Sequence, residues 1–543
     1  SRKEDACRDC RTGGLTGIGA CHSHAVRTLV TQTVVSWHSM GAGNMLPTLA
    51  LLCALPLALS KQANRPDVPS ECQAGRAAEE YFDATATFLW RGLPLEAEEC
   101  IKQWRVEFDG DTRPLYLHLT SAVRMPAYRA SHADDIDSII KSYLADAESL
   151  LDKLLDNLED ENGEISLEHA NAVIPLYFGI AYGYRELKDL DSAWAYLLAA
   201  NRLKSQTIKK TEHYANQVKL LGMALWPMMF QVPDLWDALK VLFNQHLPSP
   251  SFGEEIVFIV GLPRTGSTLL ERMLSRHPAV LATGEETLQK QVLLQDHLLS
   301  IVESLWHWVE AGYLTRGRVL DIFTSSRREA MVSELTRVVL HARKLLQEQS
   351  PVLGQNFRVV TDKLLPNALV VPLLRLLVPG AKFLLCTRAL TDVAVSSFWN
   401  LFDGSYWAWT YDVDALGAHL QSHRTMELAF LSTPVIKASL MEVRYERLVQ
   451  NPREILELVL SFLNLPWNDA CLDAAAPSTQ EEVRTASVSQ VRSQVYQTGM
   501  ARWQKELKYL RPLLKYLRPV ESPQSVESSC TNSESCKDRR EEL

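Results

Sequence analysis

The sequence predicts an all-α region over residues 75–245, followed over 254–519 by an α/β region with a mainly parallel sheet flanked by helices. Three observations carry this. Apolar residues between Ile136 and Leu158 recur at the spacing of one helix face. Beyond residue 255, short apolar runs alternate with helical segments, the rhythm of a sheet whose crossovers are helices. The first of those runs ends in the turn "GLPRTGST" (261–268), where a strand meets a helix around space for an anion.

The chain has 543 residues, 46% hydrophobic and 22% charged, enough to bury two or three cores. Its net charge of −9 argues against nucleic-acid binding, which needs a broad basic face. Any phosphate recognition is therefore expected to be local.

Residues 1–39 precede Met40 and carry no hydrophobic period, so they read as a disordered extension or a start-site artefact. Cys7, Cys10, Cys21, His22 and His24 are the residue types of a zinc site, but Cys21, His22 and His24 lack the spacing of a second ligand pair. Within residues 40–60, "MLPTLALLCALPLALS" holds an apolar run that ends Ala58-Leu59-Ser60 and resembles a secretory signal peptide, too short and Pro-broken for a membrane span. No Lys or Arg lies between Met40 and that run, which leaves a buried helix in a cytoplasmic protein as the alternative. The tail over 520–543 is polar and Ser-rich, reads as disordered, and ends in "REEL", similar to a retrieval signal of the endoplasmic reticulum. Together the two ends suggest the lumen of the endoplasmic reticulum or Golgi. Cleavage at Ser60 leaves six cysteines, and an oxidising lumen permits Cys72–Cys100 or Cys530–Cys536 to pair.

In the all-α region, Ile136, Ile140, Tyr143, Leu144, Ala147, Leu151, Leu154 and Leu158 mark a strongly amphipathic helix. The pair of segments in "YFGIAYGYRELKDLDSAWAYLLAANRL" matches one tetratricopeptide unit, with Ala181, Ala193 and Ala200 where two helices cross and Tyr184 and Leu197 beside them. Any antiparallel helical pair is the competing reading. Pro, Ser and Gly cluster in "FNQHLPSPSFGEE" (243–255), the expected domain boundary. Expected strands follow at 256–260, 359–361, 382–386 and 441–443, and expected helices at 269–275, 364–377, 392–401 and 452–463.

The turn at 261–268 lacks the lysine of the usual ATP-binding loop, yet it keeps the parts of a phosphate cradle. Gly261 and Gly266 let the backbone come close, Ser267 and Thr268 add hydroxyls, and Arg264 supplies a planar cation that forks onto phosphate oxygens. Lys363, Arg388 and Tyr445 each follow a predicted strand. Ligands of open α/β sheets sit beyond the carboxyl ends of the strands, so these side chains are expected to converge.

These residues resemble the sulfotransferases that use 3′-phosphoadenosine 5′-phosphosulfate, above all the relatives of tyrosylprotein sulfotransferase with tetratricopeptide repeats. The likeness spans roughly residues 170–515, through "GLPRTGSTLLERMLSRHPAV", "TGEET", "CTRALTDVAVSSF", "VRYERLVQNP" and "VRTASVSQVRSQVY" in the family's order. It implies a P-loop-like sheet of the sulfotransferase fold. It also implies that Arg264 with Thr265, Gly266, Ser267 and Thr268 holds the phosphosulfate, that Arg388 and Ser396 bind the 3′-phosphate, and that Tyr445 and Arg502 contact the nucleotide. The catalytic base is Glu286 by alignment on "GEET", or Glu285 by counting from the loop. Lys363 and Ser487 fall where the family stabilises the transition state. The implied co-substrate is 3′-phosphoadenosine 5′-phosphosulfate, and no metal is required.

Departures from the family concern the acceptor. "LQKQ" (288–291) replaces the basic positions that line the peptide groove, and Asn400 stands where a family arginine is expected. Trp399, Tyr406, Trp407, Trp409 and Tyr411 either line an acceptor pocket or pack the core. The acceptor is thus a protein tyrosine, a sugar or a small alcohol, with a protein partner expected on the helical repeats. A nucleotide-dependent kinase and a tetratricopeptide adaptor over an inactive nucleotide-binding domain are the competing functions.

Overall fold

The computed structural model describes residues 72–91, 94–124, 128–129, 132–158, 165, 167–208, 210–284, 293–311, 313–402, 405–473, 503–509 and 511–517. The early cysteines and histidines, the apolar run after Met45, Glu285, Glu286, residues 288–291, Ser487, Arg502, Cys530, Cys536 and the last four residues lie outside them.

Helices α1 (Ala78–Arg91), α2 (Pro94–Glu107), α3 (Arg113–Arg124), α4 (Ile136–Leu158), α5 (Leu167–Glu186) and α6 (Leu190–Gln206) share one core. The periodic stripe of α4 does what its spacing predicts: Ile140, Leu144, Ala147 and Leu151 are buried, while Lys141 and Asp146 stay exposed. Only three residues separate α5 from α6, which makes them an antiparallel hairpin. Asp189 caps α6 by accepting from the Ser192 N–H at 3.1 Å. Ala181, Ala193, Leu197 and Ala200 are buried where the two helices meet. Cys72 and Cys100 form a disulfide between the segment before α1 and α2.

Helices α7 (Lys210–Phe230) and α8 (Leu235–Asn244) pack against the sheet. Their Met223, Trp226, Leu235 and Phe243 lie in one core with Phe258 and Phe383 of the strands. The chain then alternates: β1 (Ile256–Gly261), α9 (Ser267–Leu274), β2 (Val280–Ala282), α10 (Leu293–Glu310), α11 (Arg316–Ile322), α12 (Ser325–Leu353), β3 (Val359–Asp362), and, after a 3₁₀ turn at Leu365–Val370, α13 (Val371–Leu377). Next come β4 (Lys382–Thr387), α14 (Leu390–Phe398), a 3₁₀ segment Ser405–Thr410, α15 (Val413–Ser432), α16 (Pro434–Lys437), β5 (Leu440–Arg444), α17 (Tyr445–Gln450) and α18 (Pro452–Phe462).

The strands form one parallel sheet in the order β2-β3-β1-β4-β5. Four were expected; β2 is too short to show a period in the sequence. Its faces follow the strand alternation: Phe258, Val260, Phe383 and Leu385 enter one core, and Val257, Ile259, Leu384 and Cys386 the other. Helices cover both faces, as an all-parallel sheet requires.

The core of α1–α6 continues into Val393, Phe398, Trp399, Trp409 and Tyr411. Three of the five aromatic candidates, Trp399, Trp409 and Tyr411, are therefore packing residues, and Tyr406 and Trp407 are half-buried beside them. A last described stretch holds α19 (Trp503–Glu506).

Candidate active site

The site grows from the turn between β1 and α9. Gly261 has φ +139°, and a Cβ there would sit 2.4 Å from the Cys386 carbonyl oxygen of β4. Only glycine lets β1 leave the sheet so close to its neighbour. Arg264 has φ +66°, an uncommon left-handed conformation for an arginine, at the centre of the turn. Thr265 donates its hydroxyl to the Leu262 carbonyl at 2.7 Å and closes the turn. Gly266 (φ +88°) leads into α9, whose first N–H groups have no carbonyl one turn earlier. The hydroxyl residues Ser267 and Thr268 are buried in that first turn.

Across from this turn lies the end of β4. Arg388 donates through Nη1 to the Arg264 carbonyl at 2.9 Å, and Arg264 donates through Nε to Ser396 Oγ of α14 at 2.9 Å. The Arg388 guanidinium carbon lies 4.5 Å from the centre of the Tyr445 ring, at the end of β5. That ring closes on Gly266, where a Cβ would stand 2.6 Å from Tyr445 Cδ2. Arg264, Gly266, Arg388, Ser396 and Tyr445, drawn from 182 residues of sequence, thus meet at the carboxyl ends of β1, β4 and β5.

The other flank is built on β3. Lys363 is fully buried, with Nζ 3.9 Å from Glu271 Oε2. Glu271 Oε1 accepts from the Thr361 hydroxyl at 2.8 Å and from the Gly284 N–H at 3.1 Å. The Lys363 N–H donates to the Gly284 carbonyl at 3.1 Å. Gly284 is thus held from both sides, immediately before Glu285 and Glu286. Asp362 ends β3 and accepts from the Leu364 N–H at 3.2 Å and from Asn367 Nδ2 at 3.1 Å. Burial pushes its carboxyl up to about 7. Burial also pushes the Cys386 thiol up to about 12, so that sulfur does not offer a thiolate nucleophile.

Glu271 and Asp362 were not foreseen. The trace of Glu271 in the sequence is a lone acid in the otherwise apolar face of "TLLERML". Among the described residues, no group of three His, Cys, Asp or Glu side chains is placed to hold a metal.

Residues 256–469 match the model of the Sulfotransferase family. An uncharacterised protein of Aquifex aeolicus (strain VF5) is 28% identical over 335 residues, 61% of this chain and 39% of that protein. The protein-tyrosine sulfotransferase of Drosophila melanogaster is 27% identical over 232 residues, 42% of each chain. The chain spans about two-fifths of the length of these relatives. Among solved structures, the sulfotransferase domain of the Synechococcus PCC 7002 olefin synthase aligns with a TM-score of 0.28 at 19% identity, covering 49% of this chain and 95% of that one. The matched residues, 256–469, include the strands and turns that build the site.

Proposed function

We propose that the protein moves a sulfuryl group from 3′-phosphoadenosine 5′-phosphosulfate to an acceptor hydroxyl. The observation that carries this reading is the contact of Arg388 with the Arg264 turn, with Ser396 and Tyr445 in the same cluster. It gives a nucleotide bearing phosphate at both ends two guanidinium groups within one crevice. The residues fit such a group: Gly261 and Gly266 let the turn lie against β4 and the Tyr445 ring, and Arg264 and Arg388 bring two cations to it in a chain that is acidic overall.

The donor supplies an activated sulfuryl group on a phosphate leaving group. Arg264, with Thr265, Gly266, Ser267 and Thr268, binds the phosphosulfate end; Arg388 and Ser396 bind the 3′-phosphate; Tyr445 and Arg502 hold the nucleotide between them. Glu286, or else Glu285, takes the proton of the acceptor hydroxyl. Gly284, pinned by Glu271 and by the backbone of Lys363, anchors the segment that carries that base. Lys363 and Ser487 stabilise negative charge on the departing oxygen.

The likeness to a protein-tyrosine sulfotransferase supports a protein tyrosine as acceptor. Asn400 in place of an arginine supports the alternative, a sugar or small alcohol; its side chain is buried and donates to the Ser396 carbonyl at 2.9 Å. The helical repeats present a protein partner or the acceptor. The Cys72–Cys100 disulfide supports an oxidising lumen as the compartment. Among the described residues no helix is long and apolar enough to cross a membrane.

The test is transfer of radiolabelled sulfate from the donor to tyrosine peptides, oligosaccharides and small alcohols in parallel. Label in one class supports the reading and names the acceptor. Label in none, with turnover of ATP and Mg²⁺ instead, would restore the kinase.

A further inference from the structure

We propose that the helical hairpin α5–α6 is part of the nucleotide site: it holds the C-terminal end of α14 and so sets the position of Ser396. This rests on the reading of Ser396 and Arg388 as ligands of a 3′-phosphate. It gives the hairpin an internal role, as a clamp on the half of the site that distinguishes a 3′-phosphorylated nucleotide from its plain 5′-phosphate.

The argument starts from the end of α14. A helix leaves its last carbonyls without intrahelical partners, and a glycine cap commonly supplies them. Here α14 is followed by Trp399 and Asn400 in place of a glycine, and its last carbonyls are served partly by these residues and partly from the hairpin. Asn400 serves the carbonyls of Ser396, through Nδ2, and Ser397, through its N–H at 3.0 Å. The hairpin serves the next two. Asn201 of α6 donates through Nδ2 to the Phe398 carbonyl at 3.1 Å, and Tyr182 of α5 donates its hydroxyl to the Trp399 carbonyl at 3.0 Å.

A second set of contacts locks the same point. Glu506 of α19 is buried, and its Oε2 accepts from the indole N–H of Trp399 at 2.7 Å and of Trp194 at 3.0 Å. Its other oxygen is paired with Arg185, whose guanidinium lies 4.0 Å from the Trp399 ring centre. A buried carboxylate is tolerated only while its donors stay in place, and these come from α5, α6 and the end of α14 together. Trp194 also stacks on Phe398 at 5.8 Å between ring centres. Two residues before Phe398, Ser396 accepts from Arg264. A shift of the α14 end therefore moves Ser396 and releases the Arg264 side chain it holds. Tyr182, Asn201 and Glu506 are positioning residues, acting through Ser396.

The experiment is calorimetry on the full chain with adenosine 3′,5′-bisphosphate and with adenosine 5′-monophosphate. Tyr182→Phe and Asn201→Leu, singly and together, are expected to weaken the bisphosphate about 5- to 20-fold while the monophosphate changes less than about twofold, as loss of one or two hydrogen bonds that align a ligand residue would do. Glu506→Gln should act more strongly, with a lower Tm; if it fails to fold, Tyr182→Phe decides. Variants that lower Tm but keep the wild-type ratio of the two affinities overturn the clamp and leave the site reading standing. Wild-type protein that binds the two nucleotides equally overturns the site reading and the clamp with it.

Discussion

Arg388 donates to the backbone carbonyl of Arg264 across 2.9 Å, joining the end of β4 to the turn after β1. One guanidinium thus braces the turn while it stacks on the Tyr445 ring. A lysine reproduces the charge but neither the fork nor the flat face. Arg388→Lys is therefore expected to retain less than about a tenth of the wild-type affinity for adenosine 3′,5′-bisphosphate, measured by calorimetry, because charged hydrogen bonds are worth about 1.5–3 kcal/mol each. Full retention would mean that only the charge matters.

Gly266 is required for two separate reasons, its φ of +88° and the Tyr445 ring against it. Gly266→Ala should cost about 1–3 kcal/mol in denaturant unfolding through the strained backbone alone. It should also push Tyr445 aside and weaken the nucleotide, whereas in a Tyr445→Ala background, already weakened by loss of the ring, Gly266→Ala should weaken it little further.

Lys363 and Glu271 are buried together at 3.9 Å. Removing the cation strands the carboxylate, and breaking such a pair costs about 3–5 kcal/mol. Lys363→Met should therefore lose both stability and kcat. Adding Glu271→Gln should recover part of the stability and none of the kcat, which separates the packing role of the lysine from its part in the reaction. Recovery of kcat in the double variant would remove Lys363 from the reaction.

Asp362 has its carboxyl raised to about 7 by burial, so the folded state holds the proton more tightly than the unfolded chain. The group's contribution to stability is complete below about pH 4 and is lost as pH rises toward 7. Asp362→Asn keeps the oxygen that accepts from Leu364 and Asn367 and abolishes this slope. The variant should gain on the wild type between pH 4 and 7, by up to about 4 kcal/mol, and hold that gain above. Urea unfolding of both proteins at pH 4, 5.5, 7 and 8 checks it; a constant difference would place the titration elsewhere.

The strands after residue 255 were legible because both faces of a parallel sheet are buried, which writes each as an unbroken apolar run such as "IVFIV". Arg264, Lys363, Arg388 and Tyr445 were legible because they follow those runs. β2 was not, since three residues carry no period. Glu271 and Asp362 escaped because a buried acid looks like a surface acid until its partners are known. The Glu506 node was invisible for a different reason: Arg185 and Trp194 lie more than 300 residues before it, and no local pattern joins them.

The central claim is that Arg264 and Arg388 act on one nucleotide within a single pocket. A double-mutant cycle with Arg264→Ala and Arg388→Ala, read as the affinity for adenosine 3′,5′-bisphosphate, tests it most directly. Arg264→Ala keeps the carbonyl that Arg388 bonds, so coupling comes through the shared ligand: each single variant is expected to lose at least about tenfold and the double variant to depart from additivity by about 1 kcal/mol or more. Additive losses, or an Arg264→Ala protein that binds as tightly as the wild type, would contradict it.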